Sequence, residues 1–402
     1  MTISLNDVPT AEYGEPNRVS VEDMMYEIAH QSYAVDAALD QIEEQVARLP
    51  ESVLKNTGSV YITGCGDSYF AGIAAQMAFH TFARVLTIPV EALEFGRYVA
   101  EVVPRDSLVL AISNSGKATR TVEAAQRATD VGAFSVAVTG TPEGRLAGVA
   151  RHVLNQRVER DGRALTMPSN LEEVGGRPSF GLSNYLVSLT TLLLVALRMG
   201  VLRGHLSSSE AQSLKNEIRA AAAAIDHTVD LCSAPADRLA SEFADHDKVM
   251  ILGGGPSLGM ALFYGAKTYE LARINGNVQQ LEEWAHEQFF LTGSESRLLI
   301  VAPPGRSFSR ALEVLDTATQ LGAKCSVVTH ADTGISFPES CAVLPVAGEH
   351  REEFIGIPYV IPGELFATRV AAYRNHGAFE FDSELQYVLN MKTIQESRMY
   401  RP

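Results

Sequence analysis

The chain has 402 residues, 46% of them hydrophobic, and a formal charge of −15 at neutral pH. This length accommodates two domains of ordinary size, and the acidic balance argues against nucleic acid or an anionic membrane as a general partner, since both require a basic face. A small anionic ligand stays open, because a few backbone N–H groups hold a phosphate whatever the net charge.

In chain order, the start (MTISLNDVPTAEYGEPN) lacks a basic segment followed by an apolar core, so no signal peptide is expected and the expected location is cytoplasmic. Residues 1–50 read as a helical lead-in, with Met24, Met25, Ile28, Ala34, Ala37 and Leu39 as apolar candidates. Residues 51–204 read as a first α/β domain, opening on Val60 to Ser68 (VYITGCGDS), a strand running into a Gly-rich turn and a helix. The apolar run from Leu186 to Leu202 is broken by Ser188, Thr190, Thr191 and Arg198, which suits a core or interface helix better than a membrane span. Residues 205–244 are expected to form a helical linker, and 245–402 a second α/β domain with a C-terminal tail.

The second domain repeats the first. Val249 to Ser257 (VMILGGGPS) matches Val60 to Ser68 at a displacement of 189, and Leu298 to Gly305 matches Leu108 to Gly116, its closing glycine again displaced by 189. Arg127 to Thr139 matches Thr317 to Thr329 at 190. Three ordered matches at spacings of 189 or 190 indicate a duplicated domain. Within each copy, short apolar runs alternate with helical patterns, the signature of βαβ units. The expected fold is therefore α/β, two tandem doubly wound parallel-sheet domains, whose ligands would sit at the carboxyl ends of the strands.

Neither Gly-rich turn completes the dinucleotide fingerprint, because Tyr69 and Leu258 stand where its third glycine belongs. A phosphate cradle fits better. Gly66 and Ser68 open a helix, and Ser113, Asn114, Ser115 and Gly116 end a strand with Thr119 just beyond. Ordinary capping by Ser and Asn is the plainer alternative. The second copy reads Pro303-Pro304-Gly305 at the equivalent loop and carries Lys267, Glu270 and His286 instead. Up to Ile274 its sequence reads as a helix that places Glu270 on an otherwise apolar face, one turn from Lys267. A carboxylate there needs a partner or a catalytic task, so a proton-transfer base and a buried ion pair both stay open. His286 follows sixteen residues later, beyond a loop marked by Asn275-Gly276-Asn277. The four cysteines form no CxxC pair, so neither a zinc site nor a disulfide framework is expected.

These residues resemble a known family. From about Met24 the chain resembles tandem sugar-isomerase (SIS) domains, of flavodoxin-like topology. It is similar to the isomerase half of glucosamine-6-phosphate synthase and to the related aminosugar-phosphate deaminases and fructosamine-phosphate deglycases. GCGDSYFAG resembles the family's CGTS-type turn, LVLAISNSG its ISQSGET strand end, and ALFYGAKTYELARI its ALEGALKLKEISYI helix. The terminal LNMKTIQES resembles LAKSVTVE. The resemblance implies that Ser68, Ser113, Asn114 and Ser115 hold a sugar phosphate and that Glu270 moves a proton between C1 and C2. It also implies that Lys267 is the helix lysine and Lys392 covers the mouth of the site. His286 would open the ring, supplied across the interface of a homodimer. No metal or organic cofactor is implied.

Three motifs depart from the family pattern. SGET reads Ser115-Gly116-Lys117-Ala118, with Thr119 one place on; HGP reads His286-Glu287-Gln288; and the Glu-x-Gly-Val-Ala-Ser-Thr loop runs from Glu173 to Ser179. The chain begins Met1-Thr2, with no N-terminal cysteine nucleophile, so glutamine hydrolysis is not expected. The expected activity is sugar-phosphate isomerisation, coupled to deamination or deglycation. A plain aldose–ketose isomerase and a non-catalytic sugar-phosphate regulator are the alternatives.

Overall fold

The computed structural model describes residues 19–400 apart from 162, 167–172 and 175–176, so Gly175 and Gly176 of the loop named above lie outside the described residues. Helix α1 (Val21–Ala47) begins at Ser20, whose hydroxyl accepts the Asp23 N–H. It buries Met24, Ile28, Ala34, Ala37 and Leu39. The first sheet follows, with strands β1 (Ser59–Gly64), β2 (Leu86–Glu91), β3 (Leu108–Ile112), β4 (Phe134–Thr139) and β5 (His152–Asn155). Their order is β2-β1-β3-β4-β5 and every pairing is parallel. Helices α2 (Asp67–Ala78) and α3 (Thr119–Asp130) make crossovers.

Two long helices, α4 (Leu182–Leu202) and α5 (Ser208–Ser241), then lead to the second sheet. Helix α4 is long and apolar enough by composition to cross a membrane, but 83% of its apolar window is buried inside the protein. Helix α5 starts with a capping box made by Ser207 and Glu210. The second sheet contains β6 (Lys248–Gly253), β7 (Asn275–Gln280), β8 (Arg297–Val301), β9 (Lys324–His330) and β10 (Ala342–Val346). Its order, β7-β6-β8-β9-β10, reproduces the first sheet strand for strand. Helices α6 (Pro256–Glu270), α7 (Leu281–His286) and α8 (Phe308–Gln320) belong to this copy, and α9 (Ile361–Tyr373) and α10 (Glu384–Gln395) close the chain.

The central strands are largely apolar because both faces of each sheet are covered, while edge strand β7 (NGNVQQ) is mostly polar. In β1, Val60 and Ile62 face the central core while Tyr61 faces a separate outer cluster. In β8, Leu299 and Val301 face the central core while Leu298 and Ile300 face the opposite cluster with Trp284. That central core is shared by both copies, with α1, α2, α4, α5, α6 and α9 contributing. Helices α2 and α6, each following the Gly-rich turn of its own copy, pack directly on one another. Gly259 permits this approach, since a Cβ there would lie 2.7 Å from the Phe70 carbonyl oxygen.

Two local expectations change. The helix ends at Glu270 rather than continuing to Ile274, because Arg273 takes a left-handed conformation (φ 53) and the Ile274 N–H returns to the Thr268 carbonyl. The Asn275-Gly276-Asn277 segment is not a loop but the start of edge strand β7. It is drawn into the sheet by pairing with β6, and Gly276 provides the clearance against Thr268 on α6.

Candidate active site

Strand β1 ends at Gly64, and the chain turns through Cys65 and Gly66 into α2. Gly66 adopts φ 55 and ψ −132, a conformation open mainly to glycine, and its missing side chain leaves the turn open. Gly255, at the start of α6, has nearly the same angles, 58 and −134. The first N–H groups of α2 have no intrahelical acceptor by helix geometry. Since the sheet order reverses between β1 and β3, the space beyond these strand ends is a topological switch point.

A cavity of 490 Å³ lies there, lined by Gly66, Asp67 and Ser68 from the first turn and Asn114 from the end of β3. Lys267 and Glu270 of α6 line the same cavity, so residues of both copies meet in one space. Phe180, Tyr185 and the tail residues Met391 and Ile394 complete its walls. Lys267 is the hub. Its ammonium donates to Asp67 Oδ2 and to Glu270 Oε2, each at 2.8 Å. It lies 4.6 Å from the Phe180 ring centroid and 4.7 Å from that of Phe263.

The electrostatics follow from this arrangement. Burial opposes the Lys267 charge, but Asp67 and Glu270 outweigh it and hold the ammonium above the ordinary lysine range. Loss of hydration raises the Glu270 carboxyl; Lys267 pulls it down and Asp67 pushes it up, leaving it above the usual carboxylate range. The Glu270 side chain is 38% exposed, so it is available from the cavity rather than buried on an apolar face. That corrects the expectation from helical periodicity, and the cause is the helix ending at this residue. Burial and Glu91 push the Cys65 thiol up to about 12, which leaves it a poor nucleophile.

The remaining sequence candidates are placed elsewhere. Ser113, Ser115, Thr119 and Ser179 do not line the cavity. The Thr119 hydroxyl donates to the Gln395 carbonyl at 2.6 Å, which fastens the C-terminal tail to α3. The Ser179 hydroxyl donates to Glu27, whose carboxylate also accepts the N–H groups of Phe180, Gly181 and Ser183. Ser115 Oγ accepts the Lys117 N–H. Lys392 is on α10, whose neighbouring residues Asn390 and Met391 line the cavity although Lys392 does not. His286 ends α7 with a side chain 68% exposed, 3.6 Å from Glu282, and is not in this cavity.

The sequence reading missed Asp67, Phe180, Tyr185 and Arg273. An acid in a helix first turn is ordinary, so Asp67 carries no distinguishing mark in the sequence. The others lack a local signature, since their place at the cavity depends on packing between distant segments.

Comparisons with known proteins bear on this site. Residues 53–169 match the SIS domain family. Glutamine–fructose-6-phosphate aminotransferase (isomerizing) of Bradyrhizobium diazoefficiens is 26% identical over 341 residues, covering 84% of this chain and 52% of that protein. The chain thus spans about half the length of the curated relatives it matches. Among solved structures, the C-terminal domain of glucosamine-fructose-6-phosphate aminotransferase from Francisella tularensis superposes with a TM-score of 0.78 at 18% identity, covering 91% of this chain and 98% of that one. Glucosamine-6-phosphate deaminase from Thermotoga maritima gives 0.62 at 15% identity, over 88% and 95% of the two chains. At these identities the superpositions establish the fold. The chain therefore carries an SIS domain and is homologous to the isomerase half of these aminotransferases.

Proposed function

We propose that this chain is a phosphosugar isomerase-type enzyme that moves a proton between C1 and C2 of a sugar phosphate, with release of ammonia or an amine. The observation that carries the reading is that Glu270, paired at 2.8 Å with Lys267, faces the same cavity as the Gly66–Ser68 turn at the switch point. An anion held by that turn, Ser68 and Asn114 would leave the carbon chain of a sugar reaching toward Glu270. The names of the relatives and of the deaminase with the same fold support this substrate class.

For an aminosugar phosphate the steps balance as follows. The opened aldehyde loses its C2 proton to Glu270, the electron pair forms C1=C2, and the displaced carbonyl pair on O1 takes the proton that the C2 ammonium gives up, leaving an enolamine. Glu270 returns the proton to C1, giving a C2 imine, and water hydrolyses that imine to a ketose and ammonia. A carboxylate raised above its usual range is a stronger base for the first step, and Lys267 stabilises it while it is charged. Ring opening would fall to His286 of a second copy, as the family resemblance implies.

The test is a panel of hexose, hexosamine and fructosamine phosphates, assayed for ketose and for released amine, with Glu270→Gln in parallel. The reading predicts turnover of an amine-bearing member and a loss of at least about 10²-fold in the variant with binding retained. Turnover unaffected by the substitution would overturn it. Clear binding without turnover of any compound would favour a regulator.

A further inference from the structure

We infer that Asp67 makes the cavity selective for a sugar phosphate bearing a protonated amine over the same compound bearing a hydroxyl. This inference rests on the reading of the cavity as a sugar-phosphate site. It starts from a charge imbalance. Asp67 and Glu270 both contact the one Lys267 ammonium at 2.8 Å, and that lysine is only 2% exposed. Two carboxylates against one cation leave one negative charge at the cavity wall. The other Lys or Arg among the lining residues, Arg273, pairs with Asp382 at 2.6 Å and does not redress the imbalance.

Hydrogen bonding shows the same deficit. Oδ2 of Asp67 accepts from Lys267, while Oδ1 is buried with no hydrogen-bond partner. An acceptor left without a donor in low dielectric is costly. Oδ1 is itself closed to the cavity, but Asp67 lines that cavity with a side chain 32% exposed, so an incoming cation can approach the rest of the carboxylate. An ammonium group beside the exposed part of the carboxylate brings a strong donor together with the positive charge that is missing. A hydroxyl supplies only the donor and leaves the charge unanswered.

The experiment uses two non-reactive open-chain probes that differ only at C2: 2-amino-2-deoxyglucitol 6-phosphate and glucitol 6-phosphate. Calorimetric titration of the full chain is expected to show the amino probe binding about tenfold or more tightly, the scale of one charge-assisted hydrogen bond. Asp67→Asn and Asp67→Thr should bring the two affinities together by weakening the amino probe alone. Equal affinities in the wild-type protein would overturn the inference while leaving the sugar-phosphate reading intact. A preference that survives undiminished in a variant with native circular dichroism would also overturn it, by placing amine recognition elsewhere. If neither probe binds the wild-type protein, the reading of the cavity fails and the inference falls with it.

Discussion

Lys267 and Asp67 are separated by 200 positions in the chain and come from different copies of the repeat, yet their charged atoms meet at 2.8 Å. This contact joins the helix that carries Glu270 to the turn that opens α2. Lys267→Met should destabilise the protein by about 2 kcal/mol. That is less than the ~3–5 kcal/mol for breaking a wholly buried pair, because both carboxylates reach water in the cavity. Urea unfolding would measure it. The same variant should move the acid limb of the pH–rate profile upward, since Glu270 loses its cation and keeps Asp67 as a neighbour.

Glu364 gives a pH dependence of the opposite kind from a salt-bridged acid. It is fully buried on α9, where it accepts from Gln31, and burial raises its carboxyl to about 8. An acid with a raised folded-state value holds its proton in the native state after the unfolded chain has released it. Stability is therefore intact below about pH 4.5, falls as pH rises, and levels off above about 8. Glu27 is also raised by burial, against its four hydrogen bonds, and adds in the same direction. Glu364→Gln should flatten the fall by a few kcal/mol, of the order of 1.4 kcal/mol per pKa unit. Unfolding free energies at pH 6 and pH 8.5, for wild type and variant, would check it.

Glu27 reaches from α1 to the start of α4, where it accepts from Ser179 Oγ at 3.0 Å and the N–H groups of Phe180, Gly181 and Ser183 at 2.9, 3.3 and 3.2 Å. Glu27→Ala should cost about 3 kcal/mol or more, since these buried donors lose their shared acceptor. Glu27→Gln should lie between, because the amide keeps one acceptor oxygen. Since Phe180 lies against Lys267, looser substrate binding should accompany the lost stability, read as a raised KM.

The two Gly-rich turns permit a matched comparison. Gly66 and Gly255 share one unusual backbone conformation, and a Cβ at either meets no atom within 4 Å. Gly66→Ala and Gly255→Ala should each destabilise by about 1–3 kcal/mol through backbone strain. Only Gly66→Ala should also weaken phosphate-ligand binding, because Gly66 lines the proposed site. Thermal unfolding and calorimetric titration with the amino probe, carried out on both variants, separate strain from site.

The repeat was legible because it is written in local patterns. Equal spacing of VYITGCGDS and VMILGGGPS anticipated a duplicated domain, and the structure shows two sheets of identical strand order with a positive-φ glycine in each Gly-rich turn. Alternation of apolar residues and the length of each run depend on near neighbours, so sequence alone determined the α/β class, the duplication and the helix bearing Lys267 and Glu270. The shape of the cavity was not local. It depends on how α2 and α6 pack through Gly259, where the tail settles, and which acceptors claim the Thr119 and Ser179 hydroxyls. Those hydroxyls looked equivalent to Ser68 in sequence, but a hydroxyl has one proton to donate, and tertiary packing presented each with a competing oxygen. The same packing set Asp67 beside Lys267, because the energy of bringing two charges together depends on their separation in space and on the water excluded around them, neither of which is encoded in their spacing along the chain.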